Sequence, residues 1–252
     1  MKLGYINRTE NIDEENPYWI SFSDIMAGLL VIFIMASLAL ILELIQVQEK
    51  LEQTQTEVLE AIKEIAKAEQ VRRDILYEIK DELIQKTILV EVSDNDSVLR
   101  IPDEQLSFRT NQYDIPSDKL AQKVVIEIGK ALHNSISKEN RFQYLDTIFV
   151  EGHTDSRRSP RHMGNWGLST FRAISIWNFW NDNLDKDKPL SGLKNHDGHP
   201  LFSVSGYAET RPVNFSESTE AELSQNRRID IRFTVKRPII HQYEQVNKMI
   251  TD

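Results

Sequence analysis

The sequence predicts an α+β protein in three parts: a single N-terminal transmembrane helix, a long coiled-coil-like helical linker and a C-terminal α/β sandwich domain. Three observations predict it. No charged residue occurs from Ile25 to Leu42. From Leu44 onward apolar residues recur every seven positions, and no Gly or Pro interrupts the run as far as Lys86. Beyond that point, short alternating runs and longer runs of helical period follow one another, as strands joined by crossover helices do.

The parts divide as 1–17, a polar lead; 18–42, the membrane span; 43–86, the linker; 87–237, the folded domain; and 238–252, a tail. The lead is acidic (Glu10, Asp13, Glu14, Glu15) and ends at Pro17. It is not a cleaved signal peptide, because the apolar stretch comes late and no small-residue cleavage site follows it. About 20 apolar residues cross a hydrocarbon core of about 30 Å, and Tyr18 and Trp19 stand where an interfacial aromatic belt belongs. A buried helix of a soluble protein is the alternative, but such helices rarely lack a polar face for so long.

In the linker, Leu44, Leu51, Val58, Ile65 and Ile79 keep the seven-residue spacing, broken at Arg72, and Val47, Ala61, Ala68 and Ile75 fill intervening positions. Two copies of such a helix pair along that seam. The other reading is an amphipathic helix lying on its own domain. In the domain, Ile88, Val90 and Val92, a turn at 94–97, then Val98 and Ile101 read as two strands. A helix follows from Pro116–Ser117 to His133, with Leu120, Val124, Ile128 and Leu132 on one face. Residues 147–152 form a buried strand, and a second helix runs from about Leu168 to Trp180. A polar loop spans 181–200. Phe202–Tyr207 is a strand, and the last strand runs from Arg228 to Val235.

The chain is 252 residues long, 27% of them charged, with a formal net charge of -9 and no cysteine. The acidic balance argues against a general nucleic-acid binder. The missing cysteines exclude a disulfide scaffold, a thiolate metal site and a cysteine nucleophile. No phosphate loop, nucleophile elbow or zincin pattern occurs, so neither an enzyme nor a cofactor is expected and no catalytic residue is assigned. His196 and His199 share one turn-like loop without a third ligand, which makes no metal site.

Three constellations can carry chemistry. Asp24 lies in the span, where a carboxylate costs about 2.5–3.5 kcal/mol on insertion scales and is functional by default. Ser21, Ser23, Ala27 and Gly28 surround it with small side chains, so that face can approach another helix closely. The alternative is a hydrated Asp24 capping the helix at the interface. The second is Glu151-Gly152-His153-Thr154-Asp155 followed by Asn165 to Ala173. An acid at a strand end and Arg172 in the next helix can flank one small cleft. Together they suit a zwitterionic amino-acid group, carboxylate to ammonium and guanidinium fork to carboxylate. A structural Asp–Arg pair is the competing reading. The third is Asn226-Arg227-Arg228 before the last strand, preceded by Gly206 and Pro212. Arg157, Arg158 and Arg161 are expected at the cleft rim or against polyanionic glycan stems.

These spaced motifs resemble an OmpA-like peptidoglycan-binding domain over 87–237: Thr154-Asp155, then Asn165 to Ala173 (Asn-x-x-Leu-Ser-x-x-Arg-Ala), then Gly206, Pro212 and Asn226-Arg227-Arg228. The resemblance implies that Asp155 and Arg172 contact the diaminopimelate of the stem peptide, with Thr154, Asn165, Leu168 and Arg228 in the same site. The Arg-rich 156–164 loop and the 183–200 insertion depart from the simplest pattern. The span, Asp24-Ile25-Met26-Ala27-Gly28-Leu29-Leu30, resembles the stator and energiser subunits of the MotB, ExbD and TolR type. The acidic lead and heptad linker are most similar to the ZorB-type, MotB-like subunits of Zorya anti-phage systems. That resemblance implies a homodimer within a ring of a polytopic MotA- or ZorA-like partner, with H+ or Na+ passing via Asp24 and Ser21. It also implies an inner-membrane protein with its N-terminus in the cytoplasm and its domain in the periplasm, since Lys2, Arg8 and Lys50 give too little charge bias to orient it. A flagellar stator subunit and a passive membrane-to-wall tether are the other functions such a chain can serve.

Overall fold

A computed structural model describes residues 17–237. The polar lead before Pro17 and the tail from 238 lie outside the described residues. The chain falls into two compact units, Met1–Val58 and Leu59–Asp252.

In the first unit, helix α1 (Pro17–Gln85) contains the apolar segment, and it is the one helix among the described residues long and apolar enough to cross a membrane. Asp24 stands seven residues past Pro17 within it, so it is not an N-cap. Asp24, Ala27 and Gly28 are exposed, and a side chain at Gly28 would meet nothing within 4 Å. Leu44, Val47, Leu51 and Val58 are likewise exposed.

In the second unit, α1 changes character. Ala61, Ala68 and Val71 are buried, and Ile75, Leu76, Ile79 and Leu83 are fully enclosed in the core of the folded domain. The two sequence readings of the linker therefore divide between its halves. Residues 68–83 lie on their own domain, whereas the heptad positions up to Val58 are uncovered.

The domain carries strands β1 (Glu91–Ser93), β2 (Val98–Pro102), β3 (Leu145–His153), β4 (Phe202–Gly206) and β5 (Arg228–Val235) in one mixed sheet of order β1-β2-β5-β3-β4. Only β3 and β4 run parallel. Helices α2 (Lys119–Ser137) and α3 (Gly164–Asn183) make the crossovers. A short helix, α4 (Glu220–Asn226), precedes β5 and is absent from the sequence reading. Its start is a capping box, in which Thr219 accepts from the Glu222 amide and Glu222 accepts from the Thr219 amide. The Thr-x-x-Glu signal is present in the sequence. α2 begins at Lys119 with Asp118 as its cap, not at Pro116, and Leu120 points to solvent while Val124, Ile128 and Leu132 are buried.

Alternation along the strands explains the layers. Leu99, Ile101, Ile148, Val150, Ile229, Ile231 and Phe233 face the helices as core. Their neighbours Arg100, Glu151, His153, Arg228, Asp230 and Arg232 share the opposite face. There Asp230 holds Arg100 and Arg228, and Glu151 holds Arg232.

Two glycines set the position of α3. Gly152 on β3 is paired in register with Gly206 on β4. A Cβ at Gly152 would run into the backbone of Ser169, and one at Gly206 into Thr170. The strands therefore touch the helix backbone directly. This brings the first turns of α3 beside the end of β3, where the candidate residues lie.

Candidate functional site

β3 ends at His153, and Thr154 and Asp155 follow it into a cleft of about 380 Å³. Asn165, Leu168 and Arg172 line the cleft from α3, Arg227 from the entry to β5, and Asp103 and Phe108 from the segment after β2. Arg157, Arg158 and Glu220 complete its rim.

The predicted residues do different things there. Asn165 positions the loop: its Oδ1 accepts from the Ser159 amide at 2.9 Å and its Nδ2 donates to the Asp155 carbonyl. Leu168 supplies apolar wall. Thr154 is fixed by its backbone, whose amide donates to the Ala208 carbonyl. Its buried Oγ1 has no hydrogen-bond partner among the described residues.

Asp155 and Arg172 share the cleft but not an ion pair. Asp155 is bound instead by Arg157, through Nε at 3.0 Å, and by Arg227, through Nη1 at 2.9 Å. Burial pushes the Asp155 carboxyl up, but the hydrogen bonds from Arg157 and Arg227 outweigh it and hold the group below its ordinary range. Arg172 is only 4% exposed, yet among the described residues it forms no salt bridge. Its Nε donates to the Gln112 carbonyl at 3.0 Å, and its guanidinium lies 5.0 Å from the centre of the Phe108 ring. Burial pulls its pKa down to about 10, and neighbouring Asp103 and Asp155 offset only part of this. A buried guanidinium without a carboxylate in ion-pair contact is costly unless a ligand supplies one.

Arg228 does not reach the cleft, contrary to the sequence expectation. It is buried on the far face of the sheet, donating to Asp230 through Nε at 3.0 Å and to the carbonyls of Asn226 and Arg211. Its neighbour Arg227 occupies the site, bridging Asp103, Asp155 and Glu220. Strand alternation sends adjacent residues to opposite faces, so the motif had to deliver one arginine to each. Asn226 pins the preceding loop, accepting from the amides of Val213 and Asn214 and donating to the Asn214 carbonyl. Sequence reasoning missed Arg227, Asp103 and Glu220 as lining residues. The capping box of α4 was the one available signal for Glu220. Of the Arg-rich loop, Arg157 and Arg158 are at the rim, while Arg161 ties the loop to Asn111 and Gln112.

Glu151, His153 and Asp230 form a second, buried cluster whose ligand atoms lie within 4.8 Å of one another. Both carboxylates are already paired with Arg100, Arg228 and Arg232, so a dication here would meet three guanidinium charges. That charge balance argues against a metal centre.

Residues 107–227 match the OmpA family. Across 231 residues, 90% of this chain and 84% of the relative, the sequence is 25% identical to Zorya protein ZorB of Escherichia coli O139:H28 (strain E24377A / ETEC). Among solved structures, a putative MotB like protein from Desulfovibrio vulgaris aligns at a TM-score of 0.49 and 14% identity, covering 68% of this chain and 99% of that one. The cell wall anchor of the T6SS from Pseudomonas aeruginosa aligns at a TM-score of 0.46 and 20% identity, covering 65% and 99%. An apolar helix thus precedes a stretch that matches the OmpA family, and similarity to Zorya protein ZorB extends along nine-tenths of the chain.

Proposed function

We propose that this chain is a peptidoglycan-anchored, stator-type subunit of an ion-driven inner-membrane motor in anti-phage defence. The observation that carries the anchoring is Arg172, a buried cation lining a cleft with no carboxylate partner of its own, beside the carboxylate of Asp155. The diaminopimelate side chain of a stem peptide ends in an ammonium and a carboxylate on one carbon. Arg172 takes the carboxylate in fork geometry, Asp155 takes the ammonium, and Thr154 Oγ1 offers a further hydrogen bond. Arg227 holds Asp155 in place. Leu168 and Phe108 give apolar cover.

The motor half rests on the membrane segment and on the ZorB relative. Asp24, with Ser21 beside it, carries H+ or Na+, and its small-residue face meets a polytopic MotA- or ZorA-like subunit that rings a homodimer of this chain. The exposed heptad positions 44–58 pair the two copies. The N-terminus is cytoplasmic and the cleft periplasmic, because the wall is there.

Co-sedimentation of the full chain, in detergent, with purified peptidoglycan sacculi tests the anchoring. Wild type is expected in the pellet and Arg172→Gln in the supernatant, with the thermal midpoint of the variant close to wild type. Undiminished sedimentation of the variant would remove Arg172 from the site and this reading with it.

A further inference from the structure

The Asp155 carboxylate is already held by two guanidinium groups. It accepts from Arg157 Nε at 3.0 Å, Arg157 Nη2 at 2.5 Å, the Arg157 amide at 3.1 Å and Arg227 Nη1 at 2.9 Å. Three of these four donors converge on Oδ2, which has two lone pairs, while Oδ1 takes only the Arg157 amide, so Oδ2 is the crowded oxygen. The two arginines are not equally held. Arg227 is 17% exposed and is also clamped by Asp103, which is 10% exposed. Arg157 is 56% exposed, and its other partner is Glu220, which is 66% exposed and also lines the cleft. Arg157 is thus the member that can leave, and Glu220 is a seat for it outside Asp155.

We propose that Arg157 is a built-in competitor for the ammonium subsite, so that a zwitterionic ligand enters by exchange: its ammonium replaces the Arg157 side chain on Asp155, and that guanidinium is left on Glu220, which it already holds. At Asp155 one cation replaces another, so the ammonium gains no new ion pair there, whereas the carboxylate gains one on Arg172. Arg157 therefore reduces how much the ligand's ammonium adds to affinity, while leaving the carboxylate's share intact. The specificity of the cleft then leans on the carboxylate more than on the ammonium. This rests on the anchoring reading of the same cleft.

The test is isothermal titration of the full chain, in detergent, with two probes. One is the tripeptide L-Ala–γ-D-Glu–meso-diaminopimelate. The other is the same tripeptide ending in 2-aminopimelate, which keeps the distal carboxylate and lacks the distal ammonium. Wild type, Arg157→Ala and Arg172→Gln are compared, each first shown to be folded by its thermal midpoint. Arg157→Ala is expected to bind the diaminopimelate probe about tenfold more tightly than wild type does, the order of one well-placed charged hydrogen bond. Its affinity for the 2-aminopimelate probe is expected to stay within about twofold of wild type, because that probe has nothing to exchange on Asp155. Equal affinities of wild type and Arg157→Ala for both probes would overturn the competitor role, and so would a loss of affinity, which would make Arg157 a ligand contact. In both of those cases binding that still depends on Arg172 leaves the anchoring reading standing. If neither wild type nor Arg157→Ala binds either probe, or Arg172→Gln binds as wild type does, the anchoring reading falls and the exchange with it.

Discussion

Arg227 and Arg228 are adjacent in the chain and opposite in role, and substitution separates them. Arg228→Gln leaves Asp230, which is buried and also held by Arg100, with half its cations. Breaking a buried ion pair costs about 3–5 kcal/mol, and the remaining Arg100 puts this one at the lower end. Its thermal midpoint is expected to drop by several degrees. Arg227→Gln, in a more open setting, is expected to weaken sedimentation with sacculi at nearly unchanged midpoint. The same polar face holds His153, stacked on Tyr207, with neither ring nitrogen hydrogen-bonded among the described residues and Nε2 3.5 Å from Asp230 Oδ2. Burial, and then the charge of Arg228, pull its pKa from the ordinary 6.5 down to about 3. The unfolded chain therefore takes up a proton below pH 6.5 that the folded domain refuses until about pH 3. Stability contributed at this position falls as pH drops through that window, by at most about 1.4 kcal/mol per unit. Urea unfolding at pH 6.5 and pH 5.5 is expected to show a smaller loss in His153→Gln than in wild type, since His133, lowered by burial, and Glu151, raised by burial, titrate in both. The Asn-Arg-Arg motif was legible in the sequence as a strand entry. Which arginine turned toward the cleft was not, because that depends on the register of β5 against β3 and on no local signal.

At the scale of elements, the patterns that sequence reads well are periodic ones. The apolar span, the strand alternation of β5 and the buried faces of α2 and α3 all follow from period, and all are present. Elements defined by a cap, such as α4, or by a tertiary neighbour, such as the far half of α1, were not separable. A heptad seam and a domain-facing stripe look alike until the domain's core shows which positions it covers. Ile75, Ile79 and Leu83 are covered, whereas Leu44 and Leu51 are 67% and 56% exposed. The cysteine-free chain makes the seam testable. Leu44→Cys, Leu51→Cys and Val58→Cys are each expected to give a disulfide-linked dimer under mild oxidant in membranes. Glu49→Cys or Thr56→Cys, on the side away from the seam, is expected to give little; equal yields at all positions would deny a specific seam. The close approach of β3 and β4 to α3 makes a second element-scale prediction. Gly152→Ala drives a methyl into the Ser169 backbone, and overpacking of this kind typically costs about 1–3 kcal/mol. The displaced α3 carries Arg172 with it, so both thermal midpoint and sedimentation with sacculi are expected to fall together, unlike in Arg172→Gln.

For the whole molecule, the proposal requires two separate functions of one chain: a carboxylate that cycles an ion, and a cleft that holds the wall. Asp24 stands within the helix, beyond any capping position, among the small residues Ser21, Ala27 and Gly28. Each charge that crosses 100 mV releases about 2.3 kcal/mol, so work can be drawn from the ion only if the carboxylate can alternately bind and release it. Asn at position 24 keeps the size and hydrogen-bonding shape of the side chain and cannot make that cycle. Arg172→Gln leaves the cycle and removes the anchor against which force is exerted. A motor needs both, whereas a passive tether needs only the second. In cells carrying the gene with its neighbours, phage plating is therefore expected to return to the unprotected level in both variants, at protein levels matching wild type. Protection that survives Asp24→Asn and fails in Arg172→Gln would make the chain a tether and take ion flow out of its function. Protection absent even in wild type, with swimming restored to a stator-deficient strain, would keep the ion cycle and move the motor from defence to the flagellum.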